Sequence, residues 1–410
     1  MYDIILIGSG PSSMLYLLYL VINYPELKLG IIAPNFDIFH CTYGLFLSQI
    51  ENTWIYDLIK KEELFSHIWD MEIDCYGKKL NIPDKYALIN NTVLYNYIID
   101  YLENSKVDII FGNVNDIQDR KVFYYANRNT LKCKETKFIL EGIGYRKPIG
   151  LQYRMDLVFY KQIFYGFEVK MGKKHNIKKV ILIDWKDHND NLDTKSFCYI
   201  LPLDEYTLFM EETILVTDLV KEEYYIILKK RLRNRIQKFN TKYIIKKREK
   251  NIILLNTCIP KSNSYSFGIG QGGNMINMMS GYTIAYNIYH IPEVCKLIVE
   301  KNFNTKLVYQ NYWSLKRKIL FLINYSGIEL LNNLNQTETA EFQYQYFKEI
   351  VKKSYYQHKI TFLNCDSNID LKQFIKSSSY YFKLSEKYLY KILFYSFYNL
   401  FSPYKIYYLL

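Results

Sequence analysis

Residues 1–20 read MYDIILIGSGPSSMLYLLYL, and positions 4–25 carry no charge. An apolar segment of about 20 residues is long enough to span a bilayer. Gly8, Gly10 and Pro11 would break such a helix, whereas they suit a tight turn from a strand into a helix. The segment therefore predicts a buried strand, a turn and a helix, and not a transmembrane helix. It also lacks the basic residues that precede the apolar part of a signal peptide.

The turn has the spacing of a dinucleotide-binding fingerprint, since Gly8-x-Gly10-x-x-Ser13 is an imperfect GxGxxG. The first glycine permits the turn, the second lets a pyrophosphate approach the helix N-terminus, and the small serine keeps helix and strand close. A helix over about 13–23 and a second strand, Leu27–Ile32, complete a βαβ unit of the expected length. The residues predicted to hold the dinucleotide here are Gly8, Ser9, Gly10, Pro11, Ser12 and Ser13.

The charge balance narrows the choice of partners. Lys and Arg outnumber Asp and Glu by 53 to 41 among 410 residues, which gives a net charge of +12. Such a surplus suits nucleic acid, anionic lipid or a phosphate-bearing cofactor. The basic residues concentrate in Lys229–Lys250, where interleaved apolar residues indicate a solvated helix and a strand, with a lipid-facing surface as the alternative. No nucleic-acid-binding signature accompanies the segment, so we expect no nucleic-acid partner.

The 7 cysteines and 6 histidines are scattered along the chain. They form neither a CxxC pair nor a His-Cys cluster, so we expect no metal site and no disulfide framework. This pattern is typical of reduced thiols inside a cell.

Predicted strands and helices alternate through about residue 300, which indicates an α/β organisation. Beyond about residue 291 the pattern is helical and aromatic. The further predicted strands lie near Ile109–Phe111, Phe138–Leu140, Lys179–Ile183 and Ile252–Leu255, and the predicted helices are Asn91–Glu103 and Leu219–Phe239.

A second glycine cluster, FGIGQGGNMINMMSGY, occupies residues 267–282. It follows a strand-like segment and precedes a helical one. A turn so rich in exposed backbone would contact a second part of the same dinucleotide, and the alternative is an ordinary glycine loop.

Glu211 and Glu212 interrupt an apolar, strand-like run within Phe197–Val216. Because side chains alternate along a strand, one carboxylate should face inward and the other outward. An inward glutamate among apolar neighbours would have a raised pKa and stay protonated near neutrality, as a general acid must. The pair by itself is also typical of surface charge on an edge strand.

Together these segments resemble the lycopene cyclases of plants and cyanobacteria, a family of flavoproteins that close carotenoid end rings. Six segments of this chain are similar to motifs of the family. They are Gly8–Ser12 (family G-x-G-P-A), Thr42–Phe46 (N-Y-G-V-W), Ile183–Asp187 (M-D-W-R-D), Phe197–Pro202 (F-L-Y-A-M-P), Phe209–Thr213 (F-L-E-E-T) and Gly268–Tyr282 (G-I-G-G-T-A-G-M-V-H-P-S-T-G-Y). Their order and spacing hold from residue 3 to about residue 350.

The sequence departs from the family pattern at a few positions. Ala33 stands where the family has an aspartate after the second strand, and Asp37 is the candidate substitute for its ribose contact. Residues 141–144 read Glu-Gly-Ile-Gly in place of D-A-T-G, and Asn277 and Met278 replace a His-Pro pair.

The resemblance implies a Rossmann-like FAD-binding α/β fold with an inserted mixed α+β substrate domain and a helical C-terminal region. The expected parts are an FAD-binding part over 1–150, a substrate part over 151–260, a second FAD-contacting segment over 261–300, and a helical, membrane-associating region over 301–410.

The implied reaction is the redox-neutral, acid-initiated cyclisation of lycopene end groups to β- or ε-rings, with FAD in its reduced form and NADPH or NADH keeping it reduced. Glu211 matches the family's acid, Glu212 is the reserve candidate, and Asp184 would shape or polarise the pocket. The further flavin-binding residues that the resemblance implies are Asp37, Gly268, Gly270, Gly272, Gly273 and Gly281.

A carotenoid substrate resides in a bilayer, so the resemblance also implies a peripheral, intracellular membrane protein. Ile392–Tyr404 is uncharged but too short to span, and it suits interfacial docking or a buried core helix equally. Two other functions share the N-terminal turn, namely a flavin-dependent monooxygenase or prenyl reductase and a non-catalytic flavin- or lipid-binding protein.

Overall fold

The structure, a computed structural model, describes residues 1–59, 61–127, 130–144, 149–152, 157–186, 194–257, 259–262 and 264–351. The strands in these ranges are β1 (Tyr2–Ile7), β2 (Leu29–Ala33), β3 (Gly44–Phe46), β4 (Phe65–Cys75), β5 (Lys78–Ile89), β6 (Asp108–Phe111), β7 (Asn113–Gln118), β8 (Lys121–Asn127), β9 (Thr130–Glu141), β10 (Lys161–Met171), β11 (Val180–Trp185), β12 (Phe197–Pro202), β13 (Thr207–Thr217), β14 (Tyr243–Leu254) and β15 (Phe267–Gly268). The helices are α1 (Pro11–Asn23), α2 (Trp54–Leu58), α3 (Lys61–Leu64), α4 (Asn91–Glu103), α5 (Glu222–Gln237), α6 (Ile284–Glu300), α7 (Thr305–Tyr312), α8 (Leu315–Asn333) and α9 (Gln336–Val351).

The first sheet has β1 at its centre and runs in the order β6-β2-β1-β9-β8-β7, with β15 also paired to β9. Strands β6, β2, β1, β9 and β15 are parallel to their neighbours, whereas β7 and β8 form an antiparallel extension on the first half of β9. The core of β1, Ile4–Ile7, is buried, as a strand covered on both faces must be. This sheet, with α1 following β1, confirms the predicted Rossmann-like class.

The turn between β1 and α1 requires glycine at its first position. Gly8 has a φ of +93°, and an added Cβ would come within 2.7 Å of the Gly142 carbonyl oxygen at the end of β9. Helix α1 begins at Pro11, two positions before the predicted Ser13, because proline is well accommodated in the first helical turn, where no backbone N–H partner is needed. The helix therefore begins directly at the glycine turn.

The second sheet runs in the order β14-β10-β13-β12-β11-β4-β5-β3 and is antiparallel except where β11 pairs with β4. Strands β3, β4 and β5 come from residues 44–89, so the segment predicted as one FAD-binding part, 1–150, supplies strands to both sheets. Strand β13 lies between β10 and β12. The edge-strand interpretation of Glu211 and Glu212 is therefore wrong, because hydrogen-bonded neighbours flank β13 on both sides.

The basic segment Lys229–Lys250 forms the second half of α5 and most of β14, as the helix-and-strand prediction required. Its charges are not all solvated, however. Arg231 and Arg235 are buried, because the face of α5 that carries them packs against β10 and β13 next to Leu232 and Ile236.

Most other predicted elements are confirmed with shifted ends. Helix α4 has the predicted bounds, and the four predicted strands fall on β6, β9, β11 and β14. Helices α6 to α9 account for the predicted helical character after residue 284. None of the helices in the described ranges is both long enough and apolar enough to cross a membrane. The segment Ile392–Tyr404 lies outside the described residues.

Candidate active site

A cavity of about 280 Å³ is lined by residues of both sheets. Its walls come from the turn after β1, the ends of β9 and β15, the loop before β3, and strands β5, β10, β12, β13 and β14. The lining residues that bear on its chemistry are Gly10, Pro11, Ser12, Gly142, Gly144, Gln162, Gly270, Gln271 and Gly281 at one end, and Thr42, Tyr43, Tyr86, Phe164, Tyr199, Phe209, Glu211, Asn251 and Tyr282 at the other.

At the glycine end, backbone from separate loops meets the start of α1. Gly10 precedes the helix with extended backbone, and an added Cβ would meet nothing within 4 Å, so this residue faces open space. Gly270, with a φ of +62°, approaches so closely that an added Cβ would lie 2.9 Å from the Ser12 hydroxyl. The exposed N–H groups at a helix N-terminus attract anions, and the glycines leave room for one.

Polar atoms without protein partners also face this cavity. Gln162 Nε2 and Gln271 Oε1 are buried and have no hydrogen-bond partner among the described residues. Buried polar groups normally form hydrogen bonds, so a ligand in the cavity would supply the partners that these two amides lack. The glycine cradle and the unpaired amides together fit a dinucleotide with a polar ring system, such as FAD.

The structure separates the predicted flavin-binding glycines into two groups. Gly10, Gly270 and Gly281 line the cavity, together with Pro11 and Ser12. By contrast, Gly268 and Gly273 pack against each other, since a Cβ on the first would lie 2.7 Å from the second. Of the remaining predicted residues, Gly8, Ser9 and Gly272 lie in the same loops and Ser13 lies in the first turn of α1, and none of the four lines the cavity.

Asp37, the candidate ribose ligand, is exposed in the loop after β2. Its carboxylate accepts a hydrogen bond from Asn35, whose carbonyl accepts a 2.7 Å bond from the Ser9 hydroxyl. Asp37 is therefore linked to the glycine turn only through Asn35, and it does not line the cavity.

Glu211 lies on the cavity face of β13, opposite Tyr199 on β12 and Gly166 on β10. Burial raises the pKa of its carboxyl to about 8; the charge of Glu249 adds to this shift, and a 3.0 Å hydrogen bond from Thr213 opposes it. The prediction of an inward glutamate with a raised pKa is confirmed for Glu211. This carboxyl is protonated at neutral pH and is able to donate a proton into the cavity.

Aromatic side chains surround this carboxyl. Tyr86, Tyr199, Tyr282, Phe164 and Phe209 line the same part of the cavity. Burial raises the pKa of all three tyrosine hydroxyls, so they stay neutral. Such faces attract a cation through the ring quadrupole.

Sequence reasoning did not single out these aromatic residues. Three of them, Tyr199, Phe209 and Tyr282, occur inside family motifs and were visible there. Tyr86 belongs to no motif and is identified only by the packing of β5. Its hydroxyl approaches Gly44 so closely that an added Cβ there would overlap it.

Glu212 and Asp184 lie on the opposite face of the same sheet. Arg235 donates to Glu212 Oε2 at 2.7 Å and to Asp184 Oδ2 at 2.8 Å, and the Ser196 hydroxyl donates to Glu212 Oε1 at 2.6 Å. Lys186 also contacts Asp184, at 2.9 Å. Neither carboxylate lines the cavity. The expectation that the outward glutamate reaches solvent is wrong, because α5 covers that face and leaves Glu212 0% exposed.

Comparisons with known proteins agree with this architecture. The model of the family described as lycopene cyclase protein matches residues 3–379. A chloroplastic neoxanthin synthase from Solanum lycopersicum is 22% identical over 364 residues, which cover 82% of this chain and 70% of that protein.

Solved structures show the same fold at low identity. A geranylgeranyl bacteriochlorophyll reductase-like protein from Thermoplasma acidophilum aligns with a TM-score of 0.68 at 13% identity, covering 95% of this chain and 99% of that one. A flavin-dependent brominase aligns with a TM-score of 0.63 at 14% identity, covering 86% and 92%.

The open space at Gly10 predicts the effect of filling it. Gly10→Val should leave the fold intact, since nothing lies within 4 Å of the new Cβ, but should abolish FAD binding by occupying the anion site. Gly10→Ala should weaken binding less. Flavin absorbance after gel filtration measures retention, and circular dichroism checks the fold. Full flavin retention in the valine variant would contradict this assignment.

The buried ion pairs predict a structural role for Arg235. Arg235→Ala leaves Glu212 and Asp184 without this cation and should lower the free energy of unfolding by about 3–5 kcal/mol. Arg233→Ala, an exposed position on the same helix, is the matched control and should change it by less than about 0.5 kcal/mol. Chemical denaturation of both variants makes the comparison, and equal stabilities would show that the network stabilises nothing.

Proposed function

Because the chain belongs to the lycopene cyclase family, we propose that it closes carotenoid end rings by acid-initiated cyclisation, with Glu211 as the proton donor. The observation that carries this proposal is a protonated carboxyl in an aromatic cavity that continues to the glycine turn. The substrate class is a linear carotenoid with lycopene-like end groups.

The reaction requires one proton to enter and one to leave. The Glu211 carboxyl donates its proton to the terminal alkene of the end group, which leaves a carboxylate and a tertiary carbocation. The next alkene supplies the electron pair for the new ring carbon–carbon bond, and the cation moves into the ring. A neighbouring carbon then loses a proton to the Glu211 carboxylate, which forms the ring alkene and restores the acid. No electrons are gained or lost overall, so substrate and product are isomers.

The cavity walls supply what a carbocation needs. The faces of Tyr86, Tyr199 and Tyr282 lie around the acid, and each aromatic face contributes on the order of 0.5–2 kcal/mol to cation stabilisation. Phe164 and Phe209 exclude water, which would otherwise trap the cation as an alcohol. A neutral tyrosine hydroxyl is also a weak nucleophile, so the walls do not capture the intermediate.

Residues at the glycine end would hold the flavin. The turn at Gly10–Ser12 would bind its pyrophosphate, and Gly270, Gln162 and Gln271 would face the rest of the molecule. Reduced FAD, when bound, would supply an electron-rich ring able to stabilise a developing positive charge. NADPH or NADH would serve to maintain that reduced form and would not be consumed in each turnover.

We also propose that the enzyme meets its substrate at a membrane surface as a peripheral, intracellular protein. A hydrocarbon of carotenoid length partitions into the bilayer. Direct transfer from the bilayer into the cavity avoids exposing that apolar surface to water.

Glu211→Gln keeps the shape of the side chain but removes the transferable proton. It should fold, bind FAD with a normal spectrum, and lose at least about 10²–10⁴-fold in cyclisation rate, because no water in the dry cavity replaces the acid. Wild-type activity should fall as the pH rises through about 8, where the carboxyl ionises. Pigment analysis in lycopene-accumulating bacteria and a pH–rate profile of purified enzyme measure the two effects.

Glu212→Gln is the control for Glu211→Gln. It lies one residue away but faces Arg235, so the folded fraction should cyclise at a rate within about threefold of wild type while the protein loses stability. Activity in Glu211→Gln would remove this residue from the mechanism.

Redox accounting separates a cyclase from the flavin-dependent monooxygenases and reductases that share its turn. Under anaerobic conditions, many product molecules should form per NAD(P)H oxidised once the flavin is reduced, because the reaction transfers no net electrons. Product counting by chromatography and nicotinamide absorbance give the ratio. One nicotinamide oxidised per product would instead identify a reductase or a monooxygenase.

A further inference from the structure

A second carboxylate shares the cavity face with Glu211. Gly166 on β10 is paired with Glu211 on β13 and with Glu249 on β14, so the three residues form one row across the sheet. Directly opposed residues in a sheet point to the same face. Gly166 contributes no side chain, and the Phe209 ring lies over it, 2.9 Å from where a Cβ would stand. The two carboxylates are therefore about 10 Å apart at the backbone, with an aromatic ring over the residue between them.

Hydrogen-bond donors surround the side chain of Glu249. Its carboxylate accepts hydrogen bonds from the Thr42 hydroxyl at 2.8 Å, from the Thr42 backbone N–H at 3.2 Å, and from the Lys247 ammonium at 2.6 Å. All three are donors, and the side chain is only 8% exposed. Donors to a carboxylate stabilise a negative charge, and Glu249 accepts these three hydrogen bonds whereas Glu211 accepts one from the Thr213 hydroxyl.

The thiol and the tyrosine hydroxyls around the pair are neutral at neutral pH, whereas Lys247 is charged, and Glu168 on β10, paired with Lys247, points to the same face of the sheet. Burial raises the pKa of Cys41 and Tyr43 in the loop before β3, as it does for Tyr86 on β5, Tyr199 on β12 and Tyr282 after β15. Lys247 is the nearby cation, and its ammonium also contacts the His40 carbonyl at 3.1 Å. That side chain is 47% exposed, so solvent screens its charge more strongly than that of Glu249.

We propose that Glu249 is a positioning residue for the acid, and that its fixed negative charge across Gly166 keeps the transferable proton on Glu211. This inference rests on the proposed function of Glu211. Two carboxyls that share a low-dielectric site do not both ionise readily, so the one with more donors holds the charge and the other holds the proton. Thr42, at the start of the segment similar to N-Y-G-V-W, donates two hydrogen bonds to Glu249 and so favours the negative charge on Glu249 and the proton on Glu211.

Glu249→Gln removes the charge but keeps the shape. The alkaline limb of the pH–rate profile should move down by about one pH unit, because a unit charge at this separation shifts a buried carboxyl by about that much. At pH 6, where Glu211 stays protonated in either protein, kcat should remain within about threefold of wild type. Glu249→Asp keeps the charge, and its limb should stay in place.

Lys247→Met provides a variant at a half-exposed position that will fold. Removing this cation strengthens the field of Glu249 at Glu211, so the alkaline limb should move up by a few tenths of a pH unit. If Glu249 has a purely structural role, the alkaline limb should not move down in Glu249→Gln and up in Lys247→Met.

An infrared titration tests the inference without turnover. The C=O stretch of a protonated carboxylic acid, assigned by its loss in Glu211→Gln, should titrate about one pH unit lower in Glu249→Gln than in wild type. If neither the C=O band nor the alkaline limb of the pH–rate profile moves in Glu249→Gln, the proposed role of Glu249 is overturned. Inactivity of folded Glu249→Gln at every pH would also overturn it, because that result would mark direct participation in the reaction. An active Glu211→Gln would instead overturn the proposed acid, while the infrared comparison would still report on the pair.

Discussion

Strand β13 must bury two adjacent carboxylates on opposite faces of one sheet, and the chemistry of the protein depends on how differently those faces are filled. On one face, Arg235 neutralises Glu212. On the other, Glu211 lies among aromatic rings, with no cation among its described contacts. A buried carboxyl without a cation keeps its proton, whereas a paired one gives it up. Glu211 is therefore the member of the pair that suits a proton donor, whereas Glu212 belongs to a buried ion pair.

The two sheets divide the work of the site between them. The parallel sheet delivers backbone to the cavity at the end of β1, where α1 begins, and this arrangement suits a phosphate-bearing cofactor. The largely antiparallel sheet delivers side chains, since two alternate residues of each of β10, β12 and β13 line the cavity, namely Gln162, Phe164, Tyr199, Leu201, Phe209 and Glu211. A hydrocarbon end group held between these two surfaces would meet an acid and aromatic faces away from water.

Several of the chain's basic side chains form hydrogen bonds and ion pairs within the protein. Arg235 pairs with carboxylates between α5 and the sheet, and Arg231 donates to the Thr194 carbonyl at 2.5 Å and to Ser196 at 2.8 Å. Lys195 donates to the carbonyls of Leu331, Asn332 and Leu334 at the end of α8, where the helix dipole favours a cation. Net charge alone therefore overstates the positive surface available to a lipid or another partner.

The sequence by itself determined the fold class, because the Gly8–Ser13 turn and the alternation of strands and helices are local patterns that chain geometry imposes. Strand alternation and apolar neighbours, which are readable along the chain, also predicted that one of the two adjacent glutamates faces inward, and the choice of Glu211 came from the resemblance to the family motif. Only the tertiary structure decided that β13 is central, that Glu212 and Asp184 face Arg235, that Tyr86 lines the cavity, and that Glu249 lies in one row with Glu211 across the sheet. These facts depend on which strands become neighbours, and a single sequence does not display pairings between residues far apart in the chain.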